Sequence, residues 1–273
     1  HSISPDKVIA MAQFFTHLQN VTSMLLPLAL HFIAEALVTI ERLQAFLCLE
    51  ENNYSTVQWT TSGNQAIVMK GITASWDENT NSRTLDNISM TIEIGKLSAI
   101  VGPMGCGKSS LIQLILGELR ASHGELIVNG TVSYASQEPW LFTGSIRNNI
   151  VFGQRYDQQR YKEVVRVCCL LKDFDQLPDG DKTFVSERGT SLSGGQRSRI
   201  NLARAIYRQA DIYLFDDPLA AVDAHVAESI FEGGFRKYLN GKTRVLVTHQ
   251  TQFLKYVDHV VMLNKGVKQD DRK

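Results

Sequence analysis

Two hydrophobic patterns divide the chain. Val8 to Leu30 is mostly apolar, with Gln13, His17, Gln19, Asn20 and Pro27 among its polar or special positions. Ile33 to Leu49 is amphipathic: Glu35, Glu41 and Arg42 sit among Ile33, Leu37, Ile40, Leu43 and Leu47 at helical spacing. Ser4-Pro5-Asp6 predicts the helix start, with a capping hydroxyl, a proline in the first turn and then an acid. The pattern predicts a long helix that can cross a membrane if its polar side faces a bundle or pathway. No basic leader or small-residue cleavage site marks it as a secretory signal.

From Ile67 onward the pattern is globular. Glu51 to Asn64, rich in Asn, Ser and Thr, reads as a linker. Ile67 to Ile94 alternates like β-structure, with a turn at Asn79-Thr80-Asn81-Ser82. Apolar runs near 97–101, 211–216, 244–248 and 259–263 have the length of buried strands, and Thr131 to Ser136 is strand-like. Asp157 to Leu171 reads as helical and belongs to a helical insertion. The predicted fold is α/β: a mainly parallel sheet with helices on both faces, an antiparallel β subdomain and an inserted α-helical subdomain. The predicted organisation is 1–50 as a helical segment, 51–66 as a linker and 67–273 as one domain.

Composition narrows this only a little. The 273 residues carry a formal net charge of zero, which argues against nucleic acid as a partner, and 44% hydrophobic content suits a folded core. Cys48, Cys106, Cys168 and Cys169 lack metal-ligand spacing and are expected as free thiols, with Cys168 and Cys169 pointing apart on one helix. Arg197, Arg199, Arg204 and Arg208 are expected to form a solvated helix face. The chain begins at His1 and is read as an excerpt of a longer protein.

The candidate chemistry is sharper. Gly102-Pro103-Met104-Gly105-Cys106-Gly107-Lys108-Ser109 fits the phosphate-binding loop G-x-x-x-x-G-K-[ST]. A buried strand precedes it, and Ser110 opens a helical stretch after it. The glycines let backbone N–H groups approach phosphate oxygens, and the helix N-terminus faces the same anion. Lys108 is placed to reach the outer phosphates and the Ser109 hydroxyl to hold Mg²⁺. Asp216 ends an apolar strand and is the expected carboxylate partner of that ion. Leu192-Ser193-Gly194-Gly195-Gln196 opens a second helix, with Ser193 as N-cap and two glycines leaving its entry bare for an anion.

With these motifs in this order, residues 67–273 resemble the ATP-binding cassette family. Leu192 to Gln196 match its signature, and Ile212 to Asp216 its second nucleotide motif. The resemblance implies ATP and Mg²⁺ as cofactors. It implies that Trp76 stacks on adenine, that Gln137 lies between Mg²⁺ and the membrane domain, and that His249 contacts the γ-phosphate. Ala220-Ala221-Val222-Asp223 matches a loop crossing the dimer interface, and Glu187-Arg188-Gly189 a loop that senses the membrane domains. It also implies a second nucleotide-binding domain, paired head to tail, whose ATP meets Ser193, Gly194, Gly195 and Gln196.

At position 217 the family has a glutamate that polarises the attacking water. Asp217 is one methylene shorter, which withdraws its carboxylate by roughly 1.5 Å and predicts slow hydrolysis. Together with Gln137 to Gly153 and Asp216 to Val226, this resembles the first nucleotide domain of subfamily C, the multidrug-resistance-associated type. Residues 1–50 are then the end of its membrane domain, and the implied cargo is an amphipathic organic anion or conjugate leaving the cytoplasm. A regulatory subunit or channel of the same subfamily is the alternative, and a soluble cassette ATPase a further one.

Overall fold

The computed structural model describes residues 4–49, 57–60, 65–77, 83–186 and 192–272. They divide into two compact units, His1–Asn53 and Tyr54–Lys273. The Asn79–Ser82 turn, most of the 51–66 linker and Glu187-Arg188-Gly189 lie outside the described residues.

The first unit is helical from Pro5 to Leu47. Helices α1 (Pro5–Asn20) and α2 (Leu26–Leu47) are joined by a π-turn over Val21–Leu25, in which the Leu26 N–H reaches Val21 O. Pro27 sits in the first turn of α2, and this register shift is how the helix absorbs a residue with no N–H. The helix starts at Pro5 as expected, but the Ser4 side chain makes no capping bond. Every described residue of the unit is exposed, including Phe14, Met24 and Leu37. Thr16, Thr22 and Thr39 fold their hydroxyls onto carbonyls four residues back, at 2.9, 2.9 and 2.8 Å. Polar groups satisfied within the helix suit an apolar surrounding. Pro5–Leu47 is long and apolar enough to cross a membrane.

The second unit is built on a six-stranded sheet, ordered β12 (Val267–Arg272), β11 (His259–Asn264), β4 (Leu97–Val101), β10 (Thr243–Val247), β9 (Ile212–Asp216), β6 (Val132–Ala135). All its neighbours are parallel except the β11–β12 hairpin. The central strands β4, β10 and β9 are buried on both faces, so alternate residues serve two cores. Ile212, Leu214, Val245 and Val247 face one core, and Tyr213, Phe215 and Leu246 the other.

The first core is closed by α3 (Lys108–Leu116) and a second sheet, ordered β1 (Val57–Thr60), β5 (Ala121–Asn129), β2 (Gln65–Ala74), β3 (Leu85–Glu93). Strand β2 is antiparallel to β3 and β5, while β1 runs parallel to β5. The second core is closed by α7 (Gly194–Tyr207), α8 (Ala224–Ile230) and the insertion. The insertion carries α4 (Ile146–Val151), α5 (Gln158–Val167), α6 (Leu171–Gln176) and the short β7–β8 pair, Gly144–Ser145 with Phe184–Val185.

Two expectations need correction. The helix read over Asp157 to Leu171 ends at Val167. Cys168 lies beyond it and Cys169 takes a left-handed backbone, φ +56°, which no helix continues. The two cysteines therefore flank a break between α5 and α6 and do not share a helix. All four cysteines are free, and Cys168 is buried. The hairpin at the C-terminal end, with Lys265 and Gly266 both at positive φ, was not predicted.

Candidate active site

Strand β4 delivers the phosphate loop to the carboxyl edge of the sheet, where α/β folds bind ligands. Gly102 is required by close approach. A Cβ there would collide with Leu263 O and lie 2.7 Å from Cys106 Sγ. Gly107, φ +100°, caps α3 in a left-handed conformation that side chains disfavour. The unpredicted hairpin supports the loop from behind, since Gly266 N–H donates to Cys106 O at 3.0 Å.

Lys108 is only 7% exposed. Its ammonium donates to Gly102 O at 2.9 Å and Pro103 O at 2.8 Å, and lies 3.7 Å from Cys106 Sγ. The lysine thus closes the loop on itself. The Trp76 indole N–H donates to Ser110 Oγ at 3.1 Å and leaves the ring exposed.

A cavity of about 240 Å³ opens over the loop. Its walls bring together Gly105, Lys108, Ser109, Gln137, Asp216 and His249, with Met104, Gly107, Ser110 and Asp217 beside them. Thr84 and Val247 also line it and were not anticipated. Gly102, Pro103 and Cys106 do not line it, and Cys106 turns into the core. Trp76 reaches it only through Ser110.

Burial pushes the Asp216 carboxyl up from the usual range. The Ser109 hydroxyl, donating to it, opposes the shift, and the neighbouring Asp217 adds to it. Burial also pushes Asp217 up, and the neighbouring His249 and Lys108 oppose the shift. Asp217 has φ +44°, a left-handed conformation that aspartate enters more readily than most residues. Ser109, Asp216 and Gln137 all line the cavity, and their hard oxygen donors fit Mg²⁺. Among the described residues no cluster of three His, Cys, Asp or Glu could hold a metal.

None of Ser193 to Gln196 lines this cavity. They begin α7 with a complete capping box. Ser193 Oγ accepts the Gln196 N–H at 3.2 Å, and Gln196 Oε1 accepts the Ser193 N–H at 3.0 Å. Nothing lies within 4 Å of where a Gly194 Cβ would be, whereas Gly195 lies against Ala221 O. The arginines of α7 correct the expectation of a solvated face. Arg199 is buried against Asp173 at 2.7 Å. Arg204 donates to Asn149 O and Trp140 O, both at 2.7 Å, beneath the rings of Trp140 and Phe152. Burial pushes Arg204 down to about 10. Arg197 is half-buried, and only Arg208 is exposed. Asn201 Nδ2 donates to Ser136 O at 3.1 Å, so α7 also holds the strand end that carries Gln137.

Comparison with known proteins follows the same residues. The ABC transporter family, described in those words, matches residues 85–220. "ATP-binding cassette sub-family C member 4" of Homo sapiens is 43% identical over 264 residues, covering 97% of this chain and 20% of that protein. "Probable multidrug resistance-associated protein lethal(2)03659" of Drosophila melanogaster is 46% identical over 280 residues, covering 96% and 20%. "Multidrug resistance protein mrp-7" of Caenorhabditis elegans is 39% identical over 273 residues, covering 97% and 18%.

The chain belongs to the ABC transporter family. It spans about a fifth of the length of these relatives. Within an ABC transporter such a stretch is the ATP-binding domain, and the P-loop fold with its flanking β and helical parts agrees with it.

Proposed function

We propose that this chain is the first nucleotide-binding domain of a subfamily C exporter, joined to the end of its membrane domain. The carrying observation is that the chain holds two separate halves of a nucleotide site. Lys108, Ser109, Gln137, Asp216 and His249 share one cavity, while the bare entry of α7 at Gly194 lies outside it. A head-to-tail pair of domains joins each half to its complement. In this reading Trp76 stacks on adenine, and the loop N–H groups and Lys108 bind the phosphates. Ser109, Gln137 and Asp216 hold Mg²⁺, which when bound neutralises phosphate charge. His249 contacts the γ-phosphate. Ser193 to Gln196 face the ATP of the second domain.

Closure of the pair moves the membrane helices, Pro5–Leu47 among them, and exports an amphipathic organic anion from the cytoplasm. Inside-out vesicles carrying the full-length protein should accumulate such an anion only with hydrolysable ATP. ATP-gated ion current without accumulation would replace the exporter by the channel reading.

The domain's own site is slow because Asp217 holds its carboxylate back. Its backbone is held in a left-handed conformation, φ +44°. Asp217→Glu should raise single-turnover hydrolysis at this site by about ten-fold or more, the usual worth of a well-placed general base. The measurement needs the paired domains. A wild-type site already as fast as its partner's would remove the asymmetry.

A further inference from the structure

We propose that Asp173, on α6 of the helical insertion, is a positioning residue that aims the entry of α7 at the second domain's ATP. This rests on the reading of Ser193 to Gln196 given above. The Asp173 carboxylate takes both Arg199 Nη2 contacts, at 2.7 and 2.8 Å, and Arg199 Nε at 3.3 Å. It also accepts from Gln196 Nε2 at 3.2 Å. The Arg199 and Asp173 side chains are 11% and 13% exposed, so solvent screens the pair little.

The bond to Gln196 has a directional consequence. The other end of that amide, Oε1, accepts the Ser193 N–H. A carboxylate can only accept, so Asp173 fixes which end of the Gln196 amide faces it and which faces Ser193. The chain of contacts runs from α6 through one amide to the N-cap of the signature helix. Arg199 adds a second tie one turn further on, with Nη1 3.4 Å from where a Gly195 Cβ would lie. The insertion and the first turn of α7 are thereby held as one unit, and the bare Gly194 entry keeps its direction.

The test is an exchange of donor and acceptor. Gln196→Glu keeps an oxygen for the Ser193 N–H but sets carboxylate against carboxylate at Asp173. Asp173→Asn removes the charge. The double variant, Asp173→Asn with Gln196→Glu, restores a donor–acceptor pair and keeps one carboxylate beside Arg199. Each single change should weaken ATP-dependent closure with the second domain by about ten-fold, the usual worth of a hydrogen bond to a charged group. The double variant should recover most of that loss. ATP affinity at the chain's own cavity should stay unchanged in Asp173→Asn, whose residue is assigned to neither nucleotide, a separation that a merely structural role does not give. If Asp173→Asn does not fold, recovery of closure in the double variant over Gln196→Glu alone reads the same link.

Gly194→Asp is the control. If it abolishes closure while Asp173→Asn and Gln196→Glu close normally, the positioning role of Asp173 is overturned alone. If Gly194→Asp also closes normally, the signature reading falls and this inference with it.

Discussion

Lys108→Ala should reduce nucleotide affinity of this domain more than a hundred-fold. The ammonium is nearly buried, so its contact with phosphate forms where water screens poorly. A charge-assisted bond in such a place is worth about 3 kcal/mol or more once the partner charge is left uncompensated. The structure adds a second loss. Lys108 ties Gly102 O and Pro103 O together at 2.9 and 2.8 Å, so alanine also frees the loop that must present its N–H groups. Nucleotide titration of the folded variant decides it, with thermal unfolding as the control for folding. Affinity within two-fold of wild type would sink the assignment of the cavity.

Gly194→Asp should separate two activities that most substitutions would damage together. Open space surrounds the position, so the new side chain meets no clash. It enters the first turn of α7, where a negative charge is favourable to the helix by about 0.3–1 kcal/mol. The fold should therefore be retained. ATP binding at the chain's own cavity should also be retained, because no residue from Ser193 to Gln196 lines it. The same carboxylate would face the γ-phosphate held by a second domain, where like charges repel at close range. ATP-dependent pairing and transport by the full-length protein should be abolished. A folded variant that has lost its own ATP binding would show that the signature serves this chain's cavity and not its partner's.

These two effects were open to the sequence to different degrees. The phosphate loop, its strand and its helix were legible because their geometry is local. Glycines at fixed offsets, an apolar run before them and a helical run after them are enough to place Lys108 and Ser109. The capping box at Ser193 and Gln196 was half legible. Ser193 was read as the N-cap, but the reciprocal bond from Gln196 was not foreseen. Asp217 was conspicuous as a residue type. Its left-handed backbone was not, since it depends on how β9 ends against β10.

The arginines of α7 show why the rest was hidden. Four arginines along one helix read as a water-facing side, and helical spacing alone cannot say what covers that side. The insertion covers it, so Arg199 meets Asp173 and Arg204 meets Asn149 and Trp140. Likewise, nothing near Gly102 indicates that its missing Cβ makes room for Leu263 O, from a hairpin far along the chain. The sequence by itself determined the nucleotide chemistry, the order of the motifs and the strands that carry them, because each is written in neighbouring residues. The tertiary structure alone decided how the loop is clamped and which charges are buried. Those follow from contacts between segments distant in sequence, and only packing chooses such partners.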